Sequence, residues 1–190
     1  MRVAAGGELD LGREGDPIPA GVATELALAP AGADYFGLVV EKGADFTAHG
    51  SSKTPFALSA VDALAGQASL SVYGSTSVAG WQVGDRLVVG KTEDLSLESS
   101  EVSTIAVISA GPAYSITLEG PLRYSHYALT PFPVANIDRN VLIRSSSTDF
   151  TKAAYVRNLA ENTTSFALAY AELSQLGQPA PGRYVKAKAP

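Results

Sequence analysis

Two histidines, one aspartate and a short aromatic cluster carry most of the chemistry this sequence offers. His49 closes ADFTAHG, an alternating run that sends Ala44, Phe46 and Ala48 to one side and Asp45, Thr47 and His49 to the other. A histidine with a carboxylate on its own face can act as a general acid or base, and the same position suits a surface histidine that steadies a turn. His126 stands in LRYSHYA between Tyr124 and Tyr127, with Arg123 beside them. Aromatic faces next to polar groups stack on sugar rings, and an arginine fork can meet a uronate carboxylate. The alternative is a packed corner in which the tyrosines cover the core and His126 answers a loop carbonyl. Asp85, in GWQVGDRLVV, follows Gly84 and precedes an apolar run. An aspartate at such an entry accepts hydrogen bonds from amides two residues on, and the glycine permits a left-handed corner. Trp81, the only tryptophan, is expected to cover the edge of the fold at that corner.

Other chemistries find little support. Cysteine is absent, which excludes thiolate catalysis and a disulfide framework. Glu93, Asp94 and the 98–101 segment are spaced like a solvated loop and lack the ladder of acids a calcium shell requires, so no metal site and no cofactor are expected. Asn162-Thr163-Thr164 fits the glycosylation acceptor pattern. Fourteen basic residues are scattered among nineteen acidic ones for a net charge of -5, which argues against a nucleic-acid partner. No apolar run approaches the ~18 residues that a membrane-spanning helix needs.

The elements that must position these residues read as strands. A chain of 190 residues, 46% hydrophobic and only 17% charged, can bury a sizeable core. Strand-length apolar or alternating runs recur at 22–28, 36–40, 44–48, 69–73, 86–89, 102–108, 114–118, 140–143 and 165–171, bounded by Gly, Pro, Asp and Ser. Helical spacing is not sustained beyond a turn or two, the best stretch being 57–64. The order of turn residues then selects between two all-β architectures. A sandwich calls for Asn-Gly or Asp-Gly hairpins, and neither dipeptide occurs. The expectation is a right-handed parallel β-helix with a glycine-rich N-terminal portion.

Several blocks in order carry a family resemblance: GGELDLG, YFGLVVEKGADFTAHGSSKTPFALSA, GWQVGDRLVV with SSEVSTIAVIS, ITLEGPLRYSHYA, NVLIRSS and AYAELSQLGQPAPGRY. Together they resemble the extracellular eight-glycine domain continuing into a parallel β-helix, as in fibrocystin, the cell-migration-inducing hyaluronan-binding protein, the related transmembrane hyaluronidase and bacterial relatives. The resemblance implies one domain over 1–184, the eight-glycine region occupying about 6–145 and a further coil about 146–184, with 185–190 as a tail. It also implies an extracellular or cell-surface setting. In the hyaluronidase relatives the His-Gly step matching His49 and the Trp-x-x-Gly-Asp aspartate matching Asp85 are implicated in cleavage, together with an arginine and a further aspartate. Between His49 and Asp85 this chain has only Lys53 and Asp62 as charged residues, so that arginine is missing.

Three functions follow as expectations: an extracellular polysaccharide-associated or cell-surface recognition module, a glycan-depolymerising enzyme using His49 and Asp85, and a scaffold without ligand. The expected partner is a polysaccharide, bound through Arg123, Tyr124, His126 and Tyr127. Where the relatives continue with a histidine-containing strand, this chain turns to VKAKAP, and an open end there is expected to be capped or to self-associate.

Overall fold

A computed structural model of the chain describes residues 1–30, 36–59, 61–74, 78–92, 99–111, 113–149, 152–159 and 165–177. The glycosylation pattern at 162–164, the acidic residues 93, 94 and 98, and the 185–190 tail lie outside them. Fifteen strands are present and no α-helix occurs among the described residues. They form two compact units: Met1–Ser51 with Arg139–Pro190, and Ser52–Asp138.

In the first unit the strands pair in parallel. They are β1 (Arg2–Val3), β2 (Glu8–Leu11), β3 (Thr24–Leu28), β4 (Gly37–Val40) and β5 (Asp45–His49), then, after the return at Arg139, β12 (Val141–Ser145), β13 (Tyr155–Asn158), β14 (Ser165–Ala169) and β15 (Ala171–Ser174). Three three-stranded sheets result, ordered β1-β4-β13, β14-β5-β2 and β15-β12-β3. The chain thus visits the three sheets in turn three times, and the second visit is interrupted after β5 by the other unit. The middle strands of all three sheets pack inward, burying Leu38, Val40, Phe46, Ala48, Val141 and Ile143 completely. Phe46 meets Phe166 of β14 at 5.0 Å between ring centroids. Each of these side chains other than Ala48 contributes roughly 1.5–3 kcal/mol.

Asn140 fastens the corners of this unit. Its Nδ2 donates to the carbonyls of Ile18 at 3.1 Å, Pro19 at 3.0 Å and Val22 at 3.0 Å, and its Oδ1 accepts from the Ser51 amide at 2.8 Å. One side chain therefore satisfies four backbone groups that no ladder reaches.

The second unit is a closed barrel. Its strands are β6 (Phe56–Ser59), β7 (Ser69–Tyr73), β8 (Arg86–Val89), β9 (Glu101–Ser109), β10 (Ala113–Leu118) and β11 (Phe132–Asn136), in the order β10-β7-β6-β11-β8-β9. Every pairing in it is antiparallel. Inward residues alternate along the strands, and Leu70, Val72, Leu87, Ile105, Ile116 and Val134 fill the interior.

This barrel overturns the expected right-handed parallel β-helix. Parallel pairing is confined to the three short sheets of the first unit, and the middle of the chain is antiparallel and closed. The absence of Asn-Gly and Asp-Gly spoke only against two-residue hairpins. The barrel's sequential neighbours are joined by longer loops, and β11 pairs with β6 and β8, which are distant in sequence. The 57–64 stretch, the best helical spacing, is strand β6 followed by a loop in which Ala63 bridges His126.

Asn140→Ala should lower the stability of the first unit by about 2–3 kcal/mol, because it leaves several backbone groups without partners. Denaturant midpoints check this, and an unchanged midpoint would remove Asn140 from its place as the fastener.

Candidate functional site

The GWQVGD corner builds a buried polar site in the barrel. Gly84 adopts a φ of 91°, the left-handed corner expected of it. The Asp85 amide donates to the Gln82 carbonyl at 3.1 Å, and Asp85 Oδ2 accepts from the Gln82 amide at 2.8 Å. The carboxylate thus reaches three residues back rather than two forward. Gly80, at φ 79°, lies so close to the segment ahead of β6 that a Cβ there would stand 2.5 Å from the Ser52 carbonyl oxygen. Trp81 is buried in the barrel, and its Nε1 donates to the Thr54 carbonyl at 2.7 Å. The corner is therefore clamped onto residues 52–54.

At the centre of the clamp lie three buried polar side chains. Lys53 is 8% exposed, Asp85 7% and Asn136 2%. Lys53 Nζ donates to Asp85 Oδ1 at 2.7 Å and Oδ2 at 2.8 Å. Asn136 Nδ2 donates to Asp85 Oδ2 at 2.7 Å, and its Oδ1 accepts from the Asp138 amide at 3.1 Å. A buried charge must be paired and hydrogen-bonded to be tolerated, and Asp85 is answered on both oxygens. It is turned away from solvent, where a polymer would lie.

His49 belongs to the other unit. It ends β5 in register with Ala169 and is half-buried, and its ring has no hydrogen-bond partner among the described residues. Its backbone carbonyl accepts from the Ile18 amide at 2.9 Å. On the same face Thr47 donates to Asp10 Oδ1 at 3.3 Å, and Arg13 bridges Asp10 and Glu8. The Arg13 guanidinium beside Asp10 holds its carboxyl below the ordinary value.

The predicted sugar-facing segment divides into an inner and an outer part. His126 is completely buried. Its Nδ1 faces the Gly90 carbonyl oxygen at 2.9 Å and its Nε2 faces Glu101 Oε1 at 3.0 Å, while its ring lies 5.7 Å from that of Phe132. Glu101, read from sequence as part of a solvated loop, opens β9 and is nearly enclosed. Its carboxylate accepts from the amides of Arg123 at 2.8 Å and Tyr124 at 3.1 Å. Burial pushes the Glu101 carboxyl up, but the two amides and His126 outweigh it and hold it below its ordinary value. The Tyr127 amide is fixed by Thr92 Oγ1 at 2.9 Å and the Ala128 amide by Asp62 Oδ1 at 2.7 Å.

Outward from this anchor stand Arg123, Tyr124 and Tyr127. Arg123 is exposed and its guanidinium lies over the Tyr124 ring, 5.8 Å from the centroid. It has no anionic partner among the described residues. Tyr127 is 40% exposed. His126 is thus a support for this surface rather than a part of it. Sequence reading missed Lys53, Asn136 and Glu101, because each is defined by a partner remote in the chain.

No known family model matches the chain, and no curated protein matches it. Among solved structures, the Gp54 tailspike of Acinetobacter baumannii bacteriophage AP22, in complex with A. baumannii capsular saccharide, is similar at 18% identity with a TM-score of 0.38. The match covers 80% of this chain and spans 29% of the tailspike's length. A likeness of that depth fixes neither a fold nor a ligand.

The depressed Glu101 carboxyl sets a direction for acid sensitivity. Its contribution to stability is present above its unfolded value, near pH 4.3, and is lost as pH falls through the lower folded value. Glu101→Gln should therefore cost about 1–3 kcal/mol at pH 7 and give a protein whose stability falls less between pH 5 and pH 3. Thermal melts across that range check it; parallel curves for the two proteins would deny Glu101 its role.

Proposed function

We propose that this chain is an extracellular polysaccharide-recognition module that holds an acidic glycan on the barrel surface formed by Arg123, Tyr124 and Tyr127. The observation that carries the reading is the exposed Arg123 guanidinium, without an anionic partner among the described residues, set over Tyr124 on a segment anchored from behind by Glu101 and His126. An aromatic face offers a sugar ring apolar contact, and the guanidinium offers a uronate carboxylate two parallel donors. Anchoring the backbone in advance reduces the ordering cost of binding. The resemblance to the eight-glycine family supports the polysaccharide and the extracellular setting.

Titration of the protein with uronate-containing and neutral polysaccharides of equal length tests the proposal. The acidic polymer should bind more tightly, and Arg123→Ala should weaken it about 10–100-fold, the loss of one charge-assisted contact. Polymer length should stay unchanged after incubation. Equal affinity for both polymers, or binding indifferent to Arg123→Ala, would contradict this reading, and shortening of the polymer would replace recognition with depolymerisation.

A further inference from the structure

The buried trio in the barrel is arranged for more than an ion pair. Asn136 lies on β11 between its two flanking strands: it pairs with Leu87 of β8 on one side, and its amide donates to the Pro55 carbonyl, just ahead of β6, on the other. Lys53 comes from the lead-in to β6 and Asp85 from the lead-in to β8. Lys53 Nζ and Asn136 Nδ2 both sit on the same oxygen, Asp85 Oδ2, at 2.8 and 2.7 Å. The carbonyl oxygen of the Asn136 side chain accepts from the Asp138 amide at 3.1 Å.

We infer that Lys53 and Asn136 condense into an intramolecular amide, with Asp85 carrying the protons. Each part of such a reaction has an occupant. Lys53 Nζ is the nucleophile and Asp85 is the base within hydrogen-bond reach of it. The Asn136 side-chain carbonyl carbon is the electrophile, polarised by the Asp138 N–H, which points at the oxygen where negative charge develops. The leaving nitrogen already rests on the carboxyl that must protonate it.

The step balances without any external reagent. Asp85 takes a proton from the Lys53 ammonium, which neutralises both charges in the barrel interior. The freed lone pair forms the bond from Nζ to the Asn136 carbonyl carbon, and the carbonyl π pair moves to Oδ1. When that pair returns, the bond to Nδ2 breaks and its electrons leave with nitrogen. Asp85 returns its proton to this nitrogen, the second proton on Nζ follows by the same carboxylate, and ammonium departs. One amine and one primary amide become one secondary amide, tying the segment ahead of β6 covalently to β11.

Intact-mass spectrometry of the folded protein tests this directly. The mass should be lower than the sequence mass by about 17 Da, one ammonia. Proteolysis should then release a branched peptide that joins Lys53 to Asn136. Lys53→Arg and Asp85→Ala should each restore the full mass. An unmodified mass for the folded wild-type protein would overturn the inference. So would a loss of ammonia found within a linear peptide, since that places the change at a single asparagine and not between two side chains.

Discussion

A positive charge inside a β-barrel is the constraint around which the middle of this chain is organised. As the chain folds, and before any amide forms with Asn136, the Lys53 ammonium cannot be left alone in an apolar interior, and Asp85 meets it with both oxygens. To place Asp85 there, the chain must turn sharply at Gln82–Asp85, which Gly84 permits by adopting a left-handed conformation. It must also run tightly against residues 52–54, which Gly80 permits by having no side chain. Trp81 then fills the interior beside the turn and fixes Thr54 through its indole N–H. Asn136 completes the coordination of Asp85 from β11, so three segments that are distant in sequence are pinned at one point. Replacing either Lys53 or Asp85 leaves the other charge buried without its counter-ion, which is why the pair costs far more to break than it contributes net.

The same device recurs in the barrel with a different purpose. Glu101 is a second enclosed carboxylate, and it holds the Arg123–Tyr127 segment by two backbone amides and the His126 ring. Both carboxylates do what short hairpin turns do in other antiparallel folds: they fix the position of segments whose connecting loops are too long to fix them. In the second case the anchored segment holds Arg123 and Tyr127 toward solvent. On the proposed reading, this support from behind is what presets the surface for a ligand.

Where alternation was clean, the sequence was sufficient: the runs at 69–73 and 86–89 coincide with β7 and β8. It misled where both faces of a strand are apolar or where a strand is short. β6 sends Phe56 and Leu58 outward and Ala57 inward, so its pattern looks helical. β11 contains Pro133, which has no N–H to give the ladder and so lowers its strand signal. The single run at 165–171 is two strands, split at Tyr170, whose φ of 51° no propensity would foresee. Gly84 and Asp85 were legible as a corner because turn chemistry is local. Lys53 was not, because SSKTP reads as a polar loop until the register of β6, β8 and β11 turns its side chain inward. His126 was recognised as belonging to the aromatic segment, but its full burial follows from Gly90 and Glu101, which only the barrel's closure brings to it.

Because Trp81 is the only tryptophan and is buried in the barrel, its fluorescence reports on the unfolding of that unit. A double-mutant cycle with Lys53→Met, Asp85→Asn and the paired variant, followed by this signal in denaturant, measures how strongly the two residues depend on one another. The account predicts that each single change costs about 3–5 kcal/mol and that the pair costs at least about 2 kcal/mol less than their sum. Additive effects, within about 0.5 kcal/mol, would contradict it, for they would mean that the barrel does not depend on Lys53 and Asp85 meeting.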